Sequence, residues 1–360
     1  MEATQYDLIV AGAGPAGSAC AITAARSGAR VLLLEKDRFP RHKVCGEFVS
    51  SESLGLLERL LGEKQFDSRP EITSSRIFVD KKSVFLPVSP AARSIPRFEL
   101  DVQLFHAAQG AGVKTQEETV VREVQQQGEI FRVTSAEGVF TAKAVVNATG
   151  RWSQLTQFGI STKKKWIGLK AHFTEKNPPQ SVDLYFFSGG YCGVQPVSEN
   201  VVNAAAMVRA DAARSLDEVF ARHPELWRRS RDWQPLFPTI TTSPLYFRKP
   251  ETESTGMILA GDAAGFIDPF AGDGISLALH GGTLAAESLV PFFQSLCSLS
   301  QAHQRYRDSY YKRFAPAFRN AARLRMALSA PAWLRSGLIR LAGLQSVAGL
   351  VVRGTRARLA

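Results

Sequence analysis

Hydrophobic positions along the chain change their period several times, and each change marks an element. Residues 6–11 (YDLIVA) form a short apolar run that stops at a glycine cluster, the pattern of a parallel strand buried on both faces. Small residues from Pro15 to Ser27 predict a helix and Val31–Leu34 a second buried strand, giving a strand–helix–strand unit at the amino end. Two apolar runs with turn signals occupy 72–90, and 97–111 sets Leu100, Leu104 and Ala108 on one helical face. Short strands broken by Gly128 and Glu137-Gly138 follow from 113, ending in a return strand, Ala144–Asn147. Residues 166–208 alternate as a second sheet, with turns at Asn177-Pro178-Pro179 and Ser188-Gly189-Gly190. Helical spacing returns over 215–230. A strand over Met257–Ala260 then runs into a long helix from about Gly272 to Leu289, and two or three helices close the chain.

This interleaving predicts an α/β fold with α+β insertions. A discontinuous Rossmann-type domain with a β-meander takes 1–70, 97–165 and 250–300. A β-sheet substrate domain takes 71–96 and 166–249, and 301–360 forms a C-terminal helical basic segment. A chain of 360 residues is long enough for two packed domains.

Charge and cysteine usage narrow the function. Of the net +11, ten positive charges fall after Asp308, where no acid occurs, so residues 1–308 stand at +1. Such a distribution argues against nucleic acid as a partner. Leu334, Leu338, Leu341 and Leu344 recur at helical spacing between arginines. That pattern suits a helix lying on an acidic membrane surface through 331–360, or equally a helix capping its own domain with a solvated basic face. The uncharged run Leu341–Val352 is too short to span a bilayer. Cys20, Cys45, Cys192 and Cys297 lack CxxC spacing, so no disulfide scaffold, dithiol centre or metal site is expected. The amino end has no secretory pattern, and the expected compartment is the cytoplasm, with peripheral contact on the inner membrane face if the tail binds lipid.

Two motifs carry chemistry. Gly12-Ala13-Gly14-Pro15-Ala16-Gly17 lies between the first strand and helix: Gly12 for the turn, Gly14 for approach of a pyrophosphate, Gly17 for close packing. The free amides of the helix start, with Pro15 in its first turn, suit phosphate charge. Glu35, followed by Lys36, ends the second strand where a carboxylate would take adenosine ribose hydroxyls. The second motif runs from Gly256 through Gly261-Asp262 to Asp268-Pro269 and Gly272-Asp273-Gly274-Ile275. Asp262 is placed for a ribityl hydroxyl of a flavin, and the helix start at Gly272, Gly274 and Ile275 for the pyrimidine edge of its ring. Asp268 and Asp273 shape this loop.

Together the motifs resemble the para-hydroxybenzoate hydroxylase superfamily of FAD-dependent oxidoreductases over residues 6 to about 290. Phe39–Glu47 (FPRHKVCGE) is similar to the geranylgeranyl reductase-like branch. The resemblance implies non-covalent FAD and matches Arg97, in Arg-x-x-Leu-Asp-x-x-Leu, to an arginine near the flavin pyrophosphate. Gly150 falls in the segment after the return strand, where Thr149 stands in place of the hydroxylases' aspartate. Cys45 matches a cysteine on the substrate side of the flavin, beside Arg41, His42 and Lys43. The reductase motif GY-x-W-x-FP is altered, with Gly193 for the tryptophan and Gln195 for the phenylalanine, and the halogenase WxWxIP motif is missing.

The expected activity is therefore reduction of a carbon–carbon double bond in an apolar isoprenoid- or polyketide-like metabolite. With one dinucleotide fingerprint, the reductant would be visiting NAD(P)H or an external electron carrier. Two alternatives stand beside it: an NAD(P)H-dependent flavin monooxygenase performing hydroxylation or epoxidation, in which Pro269 would support the reacting face, and a non-catalytic membrane-associated flavin-binding protein. His106, His172 and His280 read as packing residues.

Overall fold

The computed structural model describes residues 5–79, 82–151, 155, 165–247 and 249–328. The tail segment 331–360 lies outside the described residues.

Two sheets organise the molecule. In the first, Gln5–Ala11 pairs in parallel with Val31–Leu34 on one side and Val139–Asn147 on the other. Lys114–Gln116 and Met257–Leu259 extend it in parallel at the two flanks. Leu8, Ile9, Val10 and Ala11 are all fully buried, so this strand shows no alternation. Leu8 and Val10 face the helices Pro15–Arg26, Arg97–Gly110 and Gly274–Phe293, while Ile9 and Ala11 meet Phe131 and Val133 of the meander. The first and last of these helices touch backbone to backbone. A Cβ on Gly282 would overlap the Ala16 carbonyl oxygen, which is why a glycine stands there.

The second sheet runs in the order Ile240–Leu245, Trp166–Thr174, Val201–Arg209, Gly190–Ser198, Ser181–Phe187, Glu71–Val79, Lys82–Ser94 and Phe48–Val49. It is antiparallel except where Ser181–Phe187 lies parallel to Glu71–Val79. Here the two-residue period is clean. Cys192 and Val194 pack with Leu216, Val219, Phe220 and Leu226 of the short helices Leu216–Phe220 and Pro224–Arg229. Gly193 and Gln195 turn to the opposite face, toward the first sheet's helix ends.

Two features differ from the sequence reading. The long helix starts at Gly274 rather than Gly272, because Gly272 is left-handed (φ 75°) and closes a separate turn, Pro269–Ala271. A helix at Ser51–Leu61, capped by left-handed Gly62, was not predicted; it buries Leu56, Leu57 and Leu60. Of the two or three closing helices expected, the described residues hold one, Leu299–Leu328, and any beyond 328 lies outside them. In Leu299–Leu328, Tyr306, Tyr310, Phe314, Ala317 and Ala321 are buried at spacings of three and four residues, so one face stays continuous with the core. Tyr306 donates its hydroxyl to the Leu259 carbonyl at 2.7 Å. Among the described residues, no helix is long and apolar enough to cross a membrane.

Candidate functional site

A cleft of about 1180 Å³ joins the helix starts of the first sheet to the open face of the second. The glycine loop forms one end. Gly12 is left-handed (φ 97°), and a Cβ there would sit 2.5 Å from the Ala148 carbonyl oxygen. A Cβ on Gly17 would overlap the Gly12 carbonyl oxygen. Gly17 is thus a packing residue and does not line the cleft, whereas Gly12, Gly14, Pro15 and Ala16 do. No side chain caps the helix that begins at Pro15. Its first-turn amides are left for a ligand.

Glu35 and Lys36 also border this end. Glu35 holds the loop itself: its Oε2 accepts the Ala13 amide at 2.8 Å and lies 3.3 Å from Arg41 Nη2. Behind it, buried Asp101 takes both Arg97 (2.8 and 2.7 Å) and Arg41 (2.6 Å). Burial alone would raise the Asp101 carboxyl, but the two guanidiniums hold it below its ordinary value. Arg97 Nη2 would stand 3.8 Å from a Cβ on Gly14, under the glycine loop.

The far side of this half is built by the second motif. Left-handed Gly261 brings its turn against Ala16, and Asp262 faces Arg151 at 3.7 Å. Gly272, Gly274, Ile275, Pro269 and Gly150 line the same cleft. The long helix starting at Gly274 has no side-chain cap either. Two uncapped helix starts therefore border one space.

Three glycines show what the space is for. Gly14, Gly46 and Gly274 are not left-handed, and a Cβ on Gly46 or Gly274 would meet no protein atom within 4 Å. Neither backbone conformation nor packing requires glycine at these positions. What each leaves is room at a cleft wall, a cradle that a bound flavin and its pyrophosphate would fill. The residues present fit FAD.

Cys45 also lines the cleft, next to a buried ionic cluster. Glu47 is fully buried, and its carboxylate accepts from Lys170 Nζ, from His172 Nε2 at 2.8 Å and from the Arg97 amide at 2.9 Å. Burial would raise Glu47, but Lys170 and His172 hold it below its ordinary value. Glu47 is itself left-handed (φ 64°), a conformation that a non-glycine residue keeps only when surrounding bonds impose it. Its amide donates to Cys45 Sγ at 3.3 Å, and Asn203 Nδ2 donates to the Cys45 and Gly46 carbonyls at 3.0 Å each. The sequence reading sets Arg41, His42 and Lys43 beside Cys45. In the fold Arg41 serves Asp101, Lys43 pairs with Asp37 at 2.8 Å, and His42 stacks on Phe237 at 4.0 Å. Arg97 is the cation against the sulfur.

Beyond Cys45 the cleft becomes apolar. Ile77, Val84, Leu86, Leu184, Phe186 and Met207 are among its walls, and Phe266 and Phe270 of the second motif close it. Among the described residues, the strands of the second sheet place no charged side chain on this wall.

Comparison with known proteins agrees with this geometry. A brominase of 1H-pyrrole-2-carbonyl-[peptidyl-carrier protein] from Pseudoalteromonas luteoviolacea is 25% identical over 80% of this chain and 78% of its own length. Digeranylgeranylglycerophospholipid reductase of Methanocaldococcus jannaschii is 27% identical over 85% of this chain and 83% of its own. The solved geranylgeranyl bacteriochlorophyll reductase-like protein of Thermoplasma acidophilum has the same fold, with a TM-score of 0.77 at 22% identity over 99% of this chain and 94% of that one. The pyridine nucleotide-disulphide oxidoreductase family matches residues 6–195. The chain belongs to that family and is an FAD-dependent oxidoreductase.

Proposed function

We propose that this oxidoreductase reduces a carbon–carbon double bond of an apolar, isoprenoid-like substrate, with NAD(P)H or an external carrier as the source of electrons. The observation that carries the reading is the continuity of the cleft: the flavin cradle opens, past Cys45, onto an uncharged apolar chamber. The similarity to a digeranylgeranylglycerophospholipid reductase supports the same substrate class.

When bound and reduced, FAD supplies a hydride. The chain's residues do the rest. The amides at Gly14–Ala16, with Arg97 below, would hold the pyrophosphate, and Glu35 the loop that presents them. Asp262 would take a ribityl hydroxyl. The uncapped helix start at Gly274 carries partial positive charge and suits the anionic edge of the reduced ring. The apolar walls exclude water and orient the double bond. Cys45 Sγ, held by the Glu47 amide and Arg97, is the group we assign to deliver the proton that completes the reduction.

One observation favours this over halogenation and another over monooxygenation. Lys36 and Lys43 line the cleft at its nucleotide end and pair with Asp37, and Lys170 is spent on Glu47. No free ammonium faces the apolar chamber among the described residues. Thr149, whose hydroxyl bonds Asn147 at 2.6 Å, replaces the acid that the hydroxylase resemblance calls for, which weighs against the monooxygenase reading. The test is anaerobic incubation of the FAD-loaded chain with dithionite and geranylgeraniol. A product heavier by one dihydrogen per reduced double bond is expected. An unchanged substrate that reacts only when oxygen is admitted would overturn the proposal.

A further inference from the structure

The excess positive charge of this chain reaches a described helix, and that helix ends at the cleft. Of the ten positive charges after Asp308, Lys312, Arg313, Arg319, Arg323 and Arg325 lie on Leu299–Leu328. Arg325 is tied inward. It bonds Asp268 at 2.6 Å and lies over the Phe247 ring at 4.0 Å, and Phe247 stacks on Phe266, one of the residues that close the apolar chamber. The anchor holds the last turns of the helix beside the chamber. Half-buried Leu324 lines the cleft, whereas Met326, two residues on, is 65% exposed. The cleft therefore has its rim at this helix end.

The outward face beside that rim is basic. Lys312, Arg319, Arg323 and Met326 follow one another at spacings of seven, four and three residues, which places them along one side of the helix, and all four are exposed. Among the described residues, no ion pair joins Lys312, Arg319 or Arg323 to an acid. The sequence beyond the helix adds five arginines and no acid. A row of uncompensated cations ending in an exposed apolar side chain, at the rim of an uncharged chamber, complements an anionic bilayer surface. An acidic protein would match the cations but not the apolar tip or the chamber that opens beside it.

We infer that this face docks the protein on an anionic membrane surface, with the Leu324–Met326 end toward the lipid, so that an apolar substrate enters the chamber from the bilayer. The entry of substrate rests on the proposed reading of the chamber; the docking rests on charge and exposure alone. Each basic residue close to such a surface is worth about a fivefold gain in partition, so three together give about a hundredfold. Contacts of this kind are screened by salt.

Vesicle flotation of the FAD-loaded full chain, with no substrate present, tests the docking. Binding to vesicles of equimolar phosphatidylglycerol and phosphatidylcholine is expected to be at least tenfold stronger than to phosphatidylcholine alone. It should disappear at about 1 M salt, where the screening length is about 3 Å. Arg319→Glu combined with Arg323→Glu, checked for unchanged flavin content, should weaken binding to the anionic vesicles by at least tenfold; Arg319→Gln with Arg323→Gln should fall between that protein and the unaltered one. Absence of binding by the unaltered chain, or equal binding to both vesicle types, overturns the inference whatever the variants do. Unchanged binding in the Glu variant overturns it too, by moving the contact off this helix face. Because no substrate enters the assay, each of these results leaves the reading of the chamber standing.

Discussion

His172 Nε2 lies 2.8 Å from the Glu47 carboxylate across 125 residues of chain, joining the second sheet to the loop that carries Cys45. With Lys170 on the same carboxylate, this contact is the ionic anchor of the cleft wall. Glu47→Ala leaves the Lys170 ammonium buried without its partner. The expected loss is about 3–5 kcal/mol of folding stability, read by urea denaturation of the FAD-loaded protein. A loss below 1 kcal/mol would mean that water or another group already compensates Lys170.

The same cluster sets a pH dependence. Glu47 is held below its ordinary value, so the folded state binds fewer protons there than the unfolded chain does. Its stabilisation is present above the unfolded glutamate value and is lost as pH falls through the lower, folded one. Denaturation midpoints measured downward from pH 5 should fall more steeply in the unaltered protein than in Glu47→Gln. Parallel curves would remove Glu47 from the account.

Asp268 runs the opposite way. Burial pushes its carboxyl from an ordinary 3.8 up to about 7, against the pull of Arg325 at 2.6 Å. The fold therefore holds a proton that the unfolded chain has already released, and stability declines as pH rises from about 4 to about 7, then levels. Asp268→Asn should flatten that decline. A decline of unchanged size in the variant would show that the carboxyl is ionised throughout.

The glycines separate room from packing. Gly274→Val adds a side chain where no protein atom lies within 4 Å, so the fold should be kept and FAD affinity lost, by tenfold or more in a flavin-release titration. Gly17→Ala should do the reverse and lower fold stability first, because its Cβ overlaps the Gly12 carbonyl. Unchanged flavin affinity in Gly274→Val would move the ring elsewhere in the cleft.

Cys45→Ala is expected to retain stoichiometric FAD and lose most of the turnover, since its sulfur lines the cleft while Glu47 and Arg97, which touch it, keep their own buried partners Lys170, His172 and Asp101. Turnover within twofold of the unaltered protein would make Cys45 a wall residue.

The legible part of this molecule was local. Gly12, Gly17 and the strand and helix around them follow from short-range pattern, because turn geometry and close packing leave marks within a few residues. The Cys45 wall was less legible. His172 read as packing because its carboxylate partner comes from a distant segment. The signal lay in Lys170: a charged residue within the apolar strand WIGLKAHF must find a buried partner, and only the fold names Glu47.

The most direct test of alkene reduction follows one turnover. The bound FAD is reduced photochemically without oxygen, and the return of oxidised-flavin absorbance is recorded after mixing with geranylgeraniol alone. Return of the absorbance under strict anaerobiosis, with one double bond reduced per flavin, is the predicted result. Flavin that stays reduced with the alkene and reoxidises only when oxygen is admitted would contradict the account.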